Sequence, residues 1–254
     1  MNMMKKIPSS PRSGECACYT VLDLFSGLGG FSLGLESTGG FKTVAFCEID
    51  PFCRKVLAKH WPTVPIFNDV RTVQNVTADV VVGGYPCQPF SEAGERRGEE
   101  DDRHLWPEML RIIRETRPTW AIAENVVGHV TLGLDKVLHD LEGEGYTARP
   151  IIIPACAVDA PHLRDRVWIL AHSKGERCHN GNDSQDIGPT NRTGNAPTDK
   201  GGSLRRMEAW RWPPEPGISR VGHGFSCRVD RNTALGNAVV PQVVAAIGQA
   251  ILAV

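Results

Sequence analysis

The chain has 254 residues, 41% of them hydrophobic, enough to fill the core of one large domain without disulfide staples. It has no run of eighteen apolar residues, and Met1–Lys6 leads into Ser, Pro and Arg rather than an apolar signal core, so the composition argues against a membrane span or a secretory leader. The net charge of −1 hides an asymmetry: residues 161–232 carry 12 Lys and Arg against 8 Asp and Glu, the remainder 16 against 21. A basic segment on an acidic body suggests one face for a polyanion.

The expectation is therefore a cytoplasmic protein. Its eight cysteines are scattered and are read as reduced thiols. No metal site is expected: Cys16 and Cys18 form one tight pair without a second, and Cys178, His179, His223 and Cys227 are spaced unlike a zinc finger.

In chain order, Tyr19–Phe25 has the composition of a strand and runs into the turn Ser26–Gly30, after which Phe31, Leu33 and Leu35 begin a helix-like stretch. A second strand, Lys42–Cys47, is followed by Glu48, Ile49 and Asp50, and Pro51 opens a helix to about His60. A third apolar stretch precedes Asp69. Further strands are predicted at Val80–Val82, Trp120–Ala123, Pro150–Ile153 and Arg166–Leu170, with helices near Leu105–Glu115 and Asp135–Glu142. This alternation predicts an α/β fold, a doubly wound and mostly parallel sheet covered on both sides. The pattern breaks after Ala171, where Gly, Asn, Asp, Ser, Pro and Arg dominate, and resumes with an apolar helix over Val243–Val254. Three parts follow: a main domain over 18–171, an insertion over 172–232, and a C-terminal segment, 233–254, that packs back on the sheet.

Candidate sites lie at the predicted strand ends, where sheets of this kind bind ligands. The turn spacing, Gly27, Gly29, Gly30 and Gly34, departs from the G-x-G-x-x-G of dinucleotide binding, with Ser32 where the third glycine belongs. It suits a ligand needing close backbone approach without a phosphate clamp, such as S-adenosylmethionine. Glu48 could bind ribose hydroxyls and Asp69 an adenine amino group. Cys87 stands between Pro86 and Pro89 just past a strand, in a backbone with little freedom, and a hydrophilic run from Ser91 to Arg103 follows it. Glu124 and Asn125 close an apolar strand and would be costly to bury without partners, so either they face a polar cleft or the strand is wrongly bounded there. Arg164 and Arg166, two residues apart at a strand start, should project to one side and could bind an anion, polarise a carbonyl, or pair with Asp165 or another acid.

Taken in order, Asp23–Phe31, Glu48, Asp69, Pro86–Ser91, Glu124–Val126, Arg164 with Arg166, and Gly236–Pro241 form a series. The chain resembles the DNA (cytosine-5) methyltransferases of bacteria and phages over about residues 18 to 254. The resemblance implies a Rossmann-like fold using S-adenosyl-L-methionine, with a small target-recognition lobe at 172–232. It assigns Cys87 as the nucleophile attacking carbon 6 of a flipped-out cytosine, Glu124 as the group bonded to ring nitrogen 3 and the amino group, Arg166 as the contact to the ring carbonyl oxygen, and Arg164 as its support. For the cofactor it implies Phe25, Ser26, Gly27, Leu28, Gly29, Gly30, Glu48, Ile49, Asp69, Val70 and Pro86, with Asn237, Ala238 and Val239 completing the pocket. Gln88, Ser91 and Arg97 would touch DNA. Departures from the family pattern are Ala160–Leu163 where a Pro-Gln pair is common, and Ile49 where some members carry an aromatic ring. Double-stranded DNA is the implied partner, with a short target and monomeric action; a cognate restriction endonuclease is left open. Rival readings are an RNA (tRNA) methyltransferase on the same scaffold, a non-catalytic DNA-binding relative, and a nicotinamide-dependent dehydrogenase, which the glycine spacing disfavours.

Overall fold

The computed structural model describes residues 18–86, 105–173 and 237–254, all within one compact unit. Cys87, Gln88, Ser91, Arg97, most of the 172–232 insertion and the Cys178, His179, His223 and Cys227 group lie outside the described residues.

Seven strands form one sheet: β1 (Tyr19–Leu24), β2 (Phe41–Cys47), β3 (Ile66–Phe67), β4 (Val80–Gly83), β5 (Trp120–Val126), β6 (Tyr146–Pro154) and β7 (Asp165–Ser173). Their spatial order is β3-β2-β1-β4-β5-β7-β6. The pairs among β3, β2, β1, β4 and β5 are parallel, and β7 runs antiparallel between β5 and β6. The helices are α1 (Gly30–Glu36), α2 (Pro51–His60), α3 (Trp106–Thr116), α4 (His129–Leu132), α5 (Leu134–Gly143) and α6 (Pro241–Leu252). Among the described residues no helix is long and apolar enough to cross a membrane.

Because successive side chains of a strand point to opposite faces, each buried strand feeds two cores. Val21, Val80, Val82, Ile122 and Trp168 pack with Phe31 and Leu35 of α1 and Val243, Val244, Ile247 and Ile251 of α6. Leu22, Leu24, Val81, Ala121, Ala123, Val167 and Ile169 pack on the opposite face with Met109, Ile112, Ile113, Val137 and Leu141 of α3 and α5. The near-continuous apolar runs of β1 and β4 are what a doubly covered sheet requires.

The predicted elements agree closely with this architecture. The strand expected at Trp120–Ala123 runs on to Val126, so Glu124 and Asn125 lie inside it, paired with Trp168 and Val167 of β7. The strands expected at Pro150–Ile153 and Arg166–Leu170 are both nine residues long and pair antiparallel. The helix expected at Val243–Val254 starts earlier, at Pro241, whose fixed φ suits the first helical turn.

Register places the site. Leu24 pairs with both Cys47 and Gly83, Cys47 with Phe67, and Gly83 with Ala123, so these strands end at one edge. Because β7 is antiparallel, its beginning reaches the same edge, with Arg166 opposite Val126.

Candidate active site

The turn after β1 is built by backbone geometry and two acids. Phe25, Gly27 and Gly29 all have positive φ, at 52°, 53° and 82°. Gly30 is required for a different reason: a Cβ there would stand 2.7 Å from Val239 Cγ2 and 3.1 Å from the Val239 carbonyl. The turn is thus pressed against the segment returning from the chain's end. Ser26 locks the turn to β1 and β2, its hydroxyl donating to the carbonyls of Asp23 at 2.6 Å and Cys47 at 3.2 Å.

Glu48, 7% exposed, follows β2 and accepts from the Gly27 amide through Oε2 at 2.6 Å and from the Asp50 amide through Oε1 at 2.8 Å. Each carboxylate oxygen keeps further acceptor capacity. Ile49 beside it is 72% exposed, a large apolar side chain open at the same edge. Asp69, past β3, caps the short turn Val70–Thr72 by accepting from the Arg71 amide at 2.9 Å, while Val70 is buried. Pro86 is exposed, Ala238 and Val239 are half-buried, and Asn237 is exposed.

One acid in this region had no site role in the sequence reading. Asp23 lies on the face of β1 that meets α1, fully buried; its Oδ2 accepts from Ser32 Oγ at 2.7 Å and the Ser32 amide at 3.3 Å, and its Oδ1 has no hydrogen-bond partner. Burial pushes its pKa from 3.8 to about 7, against the lowering effect of the Ser32 bonds. A carboxylate inside an otherwise apolar strand was the available signal.

The second half of the site gathers around Glu124. Its side chain is 10% exposed and its Oε1 is 2.9 Å from Arg166 Nε. Burial raises its pKa, opposed by the charges of Arg166 and Arg164. Arg166 also donates through Nη1 to the Asp165 carbonyl, so its acid partner is Glu124 rather than Asp165. Arg164 precedes β7 with φ 32° and donates through Nη2 to the Ala238 carbonyl at 2.8 Å; burial lowers its pKa, and the charge of Arg166 adds to this. Glu124, Arg164, Arg166, Trp168 and Val239 line one small hollow. A buried acid with two guanidiniums can grip a polar ring edge, offering an acceptor and donors side by side.

Asn125 turns to the opposite face, where its Nδ2 donates at 3.3 Å to the carbonyl of Tyr85, just past β4. Tyr85 in turn meets His129 of α4, its hydroxyl 2.7 Å from Nε2. These two residues are 44 apart in sequence, and nothing local marked either one. Among the described residues no group of His, Cys, Asp and Glu is arranged to hold a metal ion.

A sheet of this order, with an acid following the second strand beside a glycine turn, has the arrangement of the doubly wound α/β proteins, in which ligand sites lie at the strand ends. The chain belongs to the C-5 cytosine-specific DNA methylase family, whose profile matches residues 19–209. Type II methyltransferase M.HgiCII of Herpetosiphon aurantiacus is 38% identical over 161 residues, 60% of this chain and 37% of that protein. M.Eco47II of Escherichia coli is 38% identical over 164 residues, 60% of this chain and 39% of its own. The chain thus spans about two fifths of the length of these curated relatives. Among solved structures, a candidate DNA modification methyltransferase from an E. coli prophage is 29% identical with a TM-score of 0.53, covering 61% of this chain and 47% of that one. The S. pombe Dnmt2 methyltransferase, 22% identical with a TM-score of 0.52 over 62% of this chain and 52% of that one, shares the fold.

Proposed function

We propose that the protein transfers a methyl group from S-adenosyl-L-methionine to carbon 5 of cytosine in duplex DNA. The observation that carries this reading is the pairing of buried Glu124 with half-buried Arg166 at the same sheet edge as the Glu48 turn, with the Pro86–Cys87 sequence following β4. The residues present fit the cofactor. Glu48 has acceptor capacity for ribose hydroxyls, exposed Ile49 and half-buried Phe25 offer apolar surface for adenine, and Asp69 has a second carboxylate oxygen for an amino group. The turn over Ser26, Gly27, Leu28, Gly29 and Gly30, with Val70, Pro86, Asn237, Ala238 and Val239, would complete the pocket. When bound, the cofactor supplies an electrophilic methyl group on a sulfonium.

The protein's residues supply the rest. Carbon 5 of cytosine is a poor nucleophile, so the Cys87 thiolate adds at carbon 6 and gives carbon 5 enamine character. Glu124, whose pKa burial raises, can share a proton with ring nitrogen 3 and accept from the amino group, stabilising that addition. Arg166 donates to the ring carbonyl oxygen while holding Glu124, and Arg164 supports both. Loss of the carbon 5 proton to a base, such as a bound water, then expels Cys87 by β-elimination. The ring can meet a thiol and a carboxylate edge-on only outside the duplex stack. In this reading Gln88, Ser91 and Arg97 contact the DNA backbone, and residues 172–232 read a short target in the major groove, their excess positive charge contacting phosphates. The enzyme acts as a monomer, and a cognate restriction endonuclease is left open as a partner.

Incubation with tritiated S-adenosylmethionine and either unmethylated genomic DNA or tRNA tests this, beside a Cys87→Ser variant. Label in DNA from the unaltered protein alone is expected. Label in tRNA alone, or in neither, would overturn the proposal.

A further inference from the structure

The chain on both sides of residues 87–104 ends in one buried aromatic cluster. Tyr85 is 4% exposed and Trp106 2%, with ring centroids 5.2 Å apart. His129, 9% exposed, stands edge-on to Tyr85 at 5.5 Å, with its Nε2 2.7 Å from the Tyr85 hydroxyl. The Tyr85 carbonyl is held by Asn125, and the Trp106 indole donates to Asp140 of α5 at 2.9 Å. The His129 ring is itself boxed in, since a Cβ on Gly133 would stand 3.0 Å from its Cε1.

Packing alone does not require this hydrogen bond. Phenylalanine would fill the same space beside Trp106, whereas the tyrosine hydroxyl and the imidazole are both removed from water and satisfy one another. The bond ties the exit of β4 to the start of α4. Gly83 and Gly84 precede Tyr85, so the backbone there has little side-chain packing of its own to fix it. The peptide leaving the sheet toward Cys87 is gripped by its carbonyl to β5 and by its side chain to α4.

We infer that Tyr85 and His129 are positioning residues for the reaction: their buried hydrogen bond fixes the backbone that delivers Cys87, two residues on, to the cytosine ring. Neither touches substrate. The inference rests on the proposed function and adds to it a pair that acts through the backbone rather than on the ring.

The test is the rate of covalent trapping on duplex DNA synthesised with 5-fluorodeoxycytidine in place of deoxycytidine, at saturating DNA and S-adenosylmethionine, well below the unfolding temperature. Tyr85→Phe and His129→Leu are expected to lower the trapping rate constant roughly tenfold, since small misplacements of a reacting group cost that much or more. The amplitude, which counts folded and competent molecules, should stay near that of the unaltered protein. His129→Gln, which offers an amide atom near the Nε2 position, should recover most of the rate. The double variant should be no slower than either single one, because both break the same bond. Unchanged rate constants with normal trapping by the unaltered protein would overturn the inference and leave the function standing. Amplitudes falling while rate constants hold would also overturn it, by showing the pair to be structural only. No trapping by the unaltered protein would overturn the functional reading itself, and this inference with it.

Discussion

Replacing Asp23 by asparagine should change how stability depends on pH. In the folded protein the Asp23 pKa stands at about 7 against 3.8 for the ordinary group, because full burial strips its carboxylate of water and the hydrogen bonds from Ser32 offset this only in part. A raised pKa means that the folded state keeps a proton that the unfolded chain has already released. The associated stability is fully present below about pH 4 and is lost as pH rises through 7. At 1.36 kcal/mol per unit, the full loss is about 4 kcal/mol, of which about 3 kcal/mol falls between pH 5 and pH 8. The carboxamide of the Asp23→Asn variant cannot ionise, so the stability of that variant minus that of the unaltered protein should rise by about 3 kcal/mol over that range. Taking the difference cancels every other titrating group that the substitution leaves alone. Urea unfolding without cofactor at pH 5, 6, 7 and 8 would read this as a relative midpoint shift of about 1 M at a slope near 3 kcal/mol/M. A difference that stays constant within about 1 kcal/mol across the range would refute the reasoning, because Asp23 would then be charged in the folded state throughout.

Glu48→Ala removes the acceptor for the Gly27 and Asp50 amides together with the proposed ribose ligand, and should weaken S-adenosylmethionine binding by more than about tenfold in calorimetry. Gly30→Ala places a methyl group 2.7 Å from Val239 Cγ2 and should destabilise by about 1–3 kcal/mol, with Val239→Ala in the same chain restoring part of the loss in chemical denaturation. Arg166→Met removes the nearer of the two cations acting on Glu124, driving its pKa further up. Methyl transfer should fall by at least about 100-fold. The accompanying stability loss should be largest at high pH and shrink as pH falls toward the ordinary carboxylate range, where Glu124 takes up a proton; a loss independent of pH would contradict the pairing.

The fold was legible because its signals are local. The apolar runs of β1 and β4, Pro51 opening α2 and the glycine turn after Phe25 each declare an element without help from the rest of the chain. The antiparallel course of β7 was not legible, since strand direction depends on which neighbour a segment meets. For the site, Glu48, Glu124 and Arg166 could be picked out as charged groups at the ends of apolar strands, where burial demands a partner. Their pairing could not: Arg166 was open to Asp165 beside it, and only the β5–β7 register sets it against Glu124. Arg164 bonds to Ala238, 74 residues away, and Tyr85 meets His129 across two elements; such contacts arise from tertiary packing and leave no period in the sequence.

Mass spectrometry of nucleosides tests whether Cys87 and the Glu124–Arg166 pair methylate carbon 5 of cytosine. Unmethylated duplex DNA would be treated with protein and S-adenosylmethionine, digested, and its products separated. The expected products are 5-methyldeoxycytidine from the unaltered protein and none from Cys87→Ser. Methyl groups on an exocyclic amine, or equal 5-methyldeoxycytidine from the serine variant, would contradict that assignment.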